Sequence, residues 1–77
     1  MMKRLAFQEA VDRFRHQDPF QPFIVEMDDG TRFVVNQPKM LMCYAGAATY
    51  FGSDGEWQFV DSEDVHQVME LTPVTQS

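Results

Sequence analysis

The side chains in this sequence best suited to nucleophilic or acid–base chemistry near neutral pH are Cys43, His16 and His66. A cysteine attacks as the thiolate, so it needs a basic group within hydrogen-bond reach and a third group to orient that base. Cys43 stands in Leu41-Met42-Cys43-Tyr44 with no basic neighbour, which predicts a buried, inert thiol. His16 falls at the end of a helical pattern, where an imidazolium complements the helix dipole. His66 lies in or near the last element with no adjacent basic residue and reads as structural or exposed. These three residues predict no catalytic site.

The oxygen-rich stretches are Asp28-Asp29 and Asp61-Ser62-Glu63-Asp64. Neither has the alternating acidic spacing and glycine of a calcium loop. A hairpin turn accounts for the first and a capped turn for the second. No cysteine and histidine spacing suits zinc. Gly30, Gly46, Gly52 and Gly55 each stand alone in turn contexts, so no phosphate-cradling loop forms. The expectation is no metal, no cofactor and no enzyme activity.

Charge narrows the choice of partners. Twelve acidic and six basic residues leave the 77-residue chain at −6, against the basic surplus of a general nucleic-acid binder. The charge is segregated. Residues 1–17 carry Lys3, Arg4, Arg13 and Arg15 against Glu9 and Asp12, a net of +2, and residues 18–77 carry Arg32 and Lys39 against ten acids, a net of −8. The basic group Lys3, Arg4, Arg13, Arg15 and His16 is the candidate nucleic-acid surface, and Tyr44, Tyr50, Phe51, Trp57 and Phe59 offer rings that stack on bases. The longest stretch free of charged residues, Met40 to Ser53, is too short and too rich in small residues to span a bilayer. Lys3 and Arg4 are followed at once by polar positions rather than an apolar run, so no signal peptide is expected. One cysteine excludes an internal disulfide and fits a reducing, cytoplasmic setting.

The elements that must position these residues follow from periodicity. Phe7, Ala10, Val11 and Phe14 recur at helical spacing, which predicts a helix over 5–17 that stops before Asp18-Pro19. Pro19-Phe20-Gln21-Pro22 is a stiff, extended connector that presents Phe20. From Phe23 the period changes to two. Strands are expected at 23–28 and 31–35 around Asp29-Gly30, at 40–44, at 48–51 after an Ala45-Gly46-Ala47 turn, and at 56–60 after Gly52-Ser53-Asp54-Gly55. In 40–44 both faces are apolar: Met40, Met42 and Tyr44 on one, Leu41 and Cys43 on the other. Asp61 or Ser62 caps a short turn. Segment 65–71 suits either a two-turn helix or a final strand, and a strand that closes the sheet is favoured. Residues 72–77 read as a polar, fraying tail. The expected whole is one domain over 1–77, mainly β with an N-terminal helix. Its five or six antiparallel strands form a strongly bent sheet or a small SH3-like or Sm-like barrel.

The pattern Pro19-Phe20-Gln21-Pro22-Phe23, then Asp29-Gly30, Phe33, Val35 and Pro38, preceded by a short helix, resembles a group of small uncharacterised bacterial proteins. The likeness runs over nearly the whole chain and rests on turns and core phenylalanines, so it implies a fold and no activity. The element order also resembles the Sm-like and SH3-like small barrels. Sm-like proteins bind RNA and build rings through edge strands, which implies nucleic acid as an alternative ligand, with Asn36 and His66 in comparable loops. The glycine that bends the second Sm-like strand is missing from Phe33-Val34-Val35-Asn36.

With 44% hydrophobic residues, ten aromatics and six methionines, the chain holds more apolar side chain than one small barrel hides. The favoured function is a non-enzymatic module that associates with itself or with another protein through Phe20, Met40, Met42, Tyr44 and Trp57. The alternative is an RNA- or DNA-binding protein using the basic helix. A third reading takes the acidic body as a nucleic-acid mimic that blocks a basic protein.

Overall fold

A computed structural model describes residues 1–52 and 54–71. The expected tail at 72–77 and Ser53 of the second Asp-Gly turn lie outside the described residues. The chain runs α1 (Arg4–Arg15), β1 (Phe23–Met27), β2 (Arg32–Val35), a 3₁₀ turn at Pro38–Met40, β3 (Leu41–Tyr44), β4 (Ala47–Phe51), β5 (Trp57–Asp61), a second 3₁₀ turn at Ser62–Asp64, and β6 (Val65–Glu70). The class is α+β, with every strand pairing antiparallel.

Helix α1 carries the expected stripe: Phe7 and Val11 are fully buried, and Phe14 stacks on Phe23 with ring centroids 5.2 Å apart. It ends two residues earlier than the stripe suggests. The His16 backbone N–H donates to the Asp12 carbonyl (3.1 Å), and the Gln17 side-chain amide donates to the Phe14 carbonyl (3.1 Å). Those side-chain and cap bonds satisfy carbonyls at the end of the helix and release the chain toward Pro19.

The strands form two three-stranded sheets, ordered β2-β1-β6 and β3-β4-β5. The hydrogen-bond ladder therefore does not close, which corrects the closed-barrel form of the expectation. The reason is local. The 3₁₀ turn at Pro38–Met40 separates β2 from β3, because Pro38 has no N–H to give a ladder and its ring fixes φ. Met40 belongs to that turn, with its N–H on the Gln37 carbonyl (3.0 Å), so the third strand begins at Leu41 and not at Met40. The second 3₁₀ turn separates β5 from β6. Asp61 is its cap, accepting from the Glu63 N–H at 2.9 Å, while Ser62 is buried. Segment 65–70 is a strand. It runs antiparallel along β1, with a register shift at Glu26/Met27.

The core lies between the sheets and is closed by α1, which packs on β6, β3 and the second 3₁₀ turn. Phe23, Val25, Val35 and Val65 from one sheet meet Leu41, Ala48 and Val60 from the other. Tyr50 reaches across, its hydroxyl donating to the Val34 carbonyl at 2.8 Å and its ring 5.0 Å from Phe33. The Ala45-Gly46 hairpin has φ of 53° and 83°, the two positive values a type I′ turn requires. The aliphatic stem of Arg4 fills the space where a Cβ on Gly46 would stand, so the turn also seats the start of α1.

Candidate functional site

The two sheets cover their outer faces differently. On the β2-β1-β6 sheet, Glu26 of the central strand accepts from Arg32 Nε of β2 at 3.0 Å and from the Gln67 amide of β6 at 2.7 Å. This ladder spans all three strands. The bond from Gln67, with the ion pair to Arg32, holds the Glu26 carboxyl below its ordinary value. Ile24, on the same face, is buried nonetheless. That face therefore carries a polar row beside an apolar row of Val34, Ile24 and Met69, whose side chains are buried or half-buried.

The β3-β4-β5 sheet exposes the large apolar side chains of its outer face. Its register sets Tyr44 beside Ala47 and Asp61, Met42 beside Thr49 and Phe59, and Phe51 beside Trp57. Side chains alternate across a strand. Since Leu41, Ala48 and Val60 point into the core, the positions between them point out. Five large side chains result on one surface: Met42 (53% exposed), Tyr44 (85%), Phe51 (43%), Trp57 (65%) and Phe59 (66%). Among the described residues nothing covers them. A shallow depression lies among Met42, Tyr44, Ala47, Thr49 and Phe59. Among the described residues of these three strands, Asp61 is the one carboxylate, and it stands at the end of the face that holds Tyr44. At the opposite end Lys39 and Met40 line a second depression against Phe51.

Of the five interaction residues read from the sequence, the structure brings Met42, Tyr44 and Trp57 onto this face. Met40 sits at its rim, half-buried against the core. Phe20 lies elsewhere, half-buried with its ring edge-on to Phe23 at 6.1 Å, so it belongs to the packing of the connector. Phe51 and Phe59 complete the face, and sequence reasoning does not place them in the interaction set. The alternation of Trp57 with Phe59 is a usable signal for the second. Phe51 is reached only through its cross-strand pairing with Trp57.

The basic residues fall at the two ends of α1, with Arg4 at its start and Arg13, Arg15 and His16 at its end. Arg4 and Arg15 stand at opposite ends of α1, roughly 16 Å apart along its axis at 1.5 Å per residue. Arg15 Nε donates to the Pro38 carbonyl (3.1 Å), and Arg13 lies over the Phe14 ring. His16 Nδ1 is 2.9 Å from the Asp12 carbonyl. None of the helix's basic side chains is in an ion pair among the described residues.

Cys43 is half-buried, and that burial, with Asp12 nearby, pushes its thiol up from the ordinary value. His66 stands 3.9 Å from an Asp28 carboxylate oxygen that also takes the Met1 ammonium at 2.7 Å. Cys43 and His66 sit on different sheets. Among the described residues, no three His, Cys, Asp or Glu side chains gather as a metal site, and no helix is long and apolar enough to cross a membrane. No family model, curated protein or solved structure matches the chain.

Proposed function

We propose that this chain is a non-enzymatic protein-interaction module that docks through the outer face of the β3-β4-β5 sheet. The observation that carries this reading is the uncovered surface of Met42, Tyr44, Phe51, Trp57 and Phe59. Large apolar side chains offer about 200 Å² each when fully exposed, so these five leave about 600 Å² of one face open to water. That is at the top of what a monomer's largest apolar patch reaches, about 300–600 Å². Aromatic residues and methionine are the types enriched where proteins bind one another, and charge is depleted there. In its finer form the reading is of a small, open relative of the Sm-like and SH3-like barrels. The N-terminal helix, the antiparallel strands and the 3₁₀ turn before the last strand support that likeness. The half-buried thiol supports an intracellular setting.

The test is photo-crosslinking in cells, with benzoylphenylalanine in place of Phe59 on the face and, as a control, in place of Gln67 in the polar row. The expected result is a protein adduct from position 59 and none from position 67. No adduct of any mass from position 59 sinks the reading.

A further inference from the structure

We infer that the occupant of this face is a second copy of the same chain, stacked sheet on sheet about a two-fold axis parallel to the strands. The inference deepens the docking role proposed above and rests on it.

Two observations favour a second copy. The first is size. Two faces of about 600 Å² remove about 1,200 Å² together, which reaches the lower bound of interfaces that hold specific complexes. The second is the arrangement of the face, which is complementary to itself. A two-fold axis lying in the interface can run across the strands or along them. Across the strands, β3 stacks on β3 and β5 on β5 with the ends exchanged, which sets the Tyr44 hydroxyl over the Met40 thioether, a weak acceptor, and the Asp61 carboxylate over the negative face of the Trp57 ring. Along the strands, β4 stacks on β4 and β3 lies over β5 with the ends kept. The rows then read differently. Tyr44 of one copy faces Asp61 of the other, a hydroxyl donor over the carboxylate of the face. Met42 faces Phe59, a thioether over a ring. The Lys39 and Met40 rim beside Phe51 faces Trp57, a cation near an indole. Each of these contacts occurs twice, and the outward residues of β4, Thr49 and Phe51, meet their own copies at the axis, as an isologous interface demands. Aligned sheets pack in this way, roughly 10 Å apart and within about 30° of each other.

Both copies carry −6, but each face contributes a single carboxylate from its described strands, so most of the repulsion is long-range and screened. Association therefore tightens as salt rises, whereas a basic partner would be released by it.

Met42→Glu and Phe59→Lys alter exposed side chains, so both variants keep the fold, which circular dichroism checks. Sedimentation equilibrium of wild type should show a dimer. Each variant alone places a charge against an apolar group and weakens association at least roughly thirtyfold. An equimolar mixture of the two recovers the dimer. The carboxylate introduced at position 42 of one chain then meets the ammonium introduced at position 59 of the other, while the remaining Met42 and Phe59 meet as before. A wild type that stays monomeric to high micromolar concentration, a variant that still dimerises, or a mixture that stays monomeric overturns the proposal. A monomeric wild type with a photo-adduct to a different protein overturns the second copy and leaves the docking role standing. A monomer with no adduct overturns both.

Discussion

Among single residues, the groups with ordinary chemical reactivity are largely put to structural use. Asp29 accepts from the Thr31 backbone N–H at 2.9 Å, which lowers its carboxyl below the ordinary value and locks the hairpin. Asp61 caps the second 3₁₀ turn. Glu26 holds the polar ladder together. The bonds from Gln67 and Arg32 favour its ionised form, so its folded value lies below the ordinary 4.5. A depressed carboxyl contributes stability above its unfolded value and loses it as the pH falls through the folded one. The urea midpoint of the wild type should therefore drop as the pH is taken below about 4.5. Glu26→Gln should be less stable near neutrality and have a flatter acid limb, since one group that gains protons on unfolding has gone. An unchanged acid limb in Glu26→Gln contradicts the role given to the ladder. Such assignments are legible in the sequence where the group acts on a neighbour in the chain, as in the Asp29-Gly30 turn and the capped Asp61 turn. The ladder is not, because Glu26 and Gln67 are 41 positions apart.

Among the elements, β3 shows how one strand serves two surfaces. Leu41 is fully buried in the core, whereas Met42, the next residue, is 53% exposed. Truncation at the two positions should then have unequal weight. Leu41→Ala removes a side chain from a packed interior and should cost about 2–5 kcal/mol. Met42→Ala removes one from the open face and should change the stability of the monomer by about 0.5 kcal/mol or less. Chemical denaturation well below the association range separates the two, and equal losses would mean that the face is packed within the monomer. The apolar character of both sides of this strand is visible in its composition. Its start is displaced by one residue from the expected one, because apolar alternation extends back to Met40 while Pro38 begins a 3₁₀ turn. The final segment shows the converse. Its periodicity fits helix and strand alike, and pairing with β1 makes it a strand.

For the molecule as a whole, the two sheets share one core and differ in what they show to solvent. One outer face is spanned by Arg32, Glu26 and Gln67, and the other is aromatic and bare among the described residues. Trp57 is the chain's only tryptophan and is 65% exposed on the bare face, so it reports directly on what happens there. In dilute solution its emission should be that of an indole in water. As the concentration rises through the association range, the emission should move to the blue in step with the sedimentation mass. Phe59→Lys should abolish that movement. A blue-shifted spectrum at the lowest concentration would place Trp57 in an apolar environment within the monomer. The segregated charge has a related reading. The helix that carries the positive residues buries Phe7 and Val11 in the common core, so among the described residues head and body are joined by apolar packing and not by ion pairs of the helix's side chains.

What chain order dictates here is local: the stripe of α1, the two-residue periods, the Asp-Gly turn at 29–30 and the cap at Asp61. Each depends on residues within a few positions of one another, where spacing, proline geometry and turn chemistry act directly. Composition also discloses a surplus of apolar side chains without saying where the surplus lies. Its location is a matter of long-range pairing. Whether Met42, Tyr44, Phe51, Trp57 and Phe59 share a surface depends on the register of three strands, and whether Phe20 joins them depends on how the connector packs on Phe23. The broken ladder likewise arises in three dimensions. Two short 3₁₀ turns take the backbone out of pairing, and the strands gather into two sheets, one with an outer face crossed by the Arg32–Glu26–Gln67 row and the other with an open aromatic face.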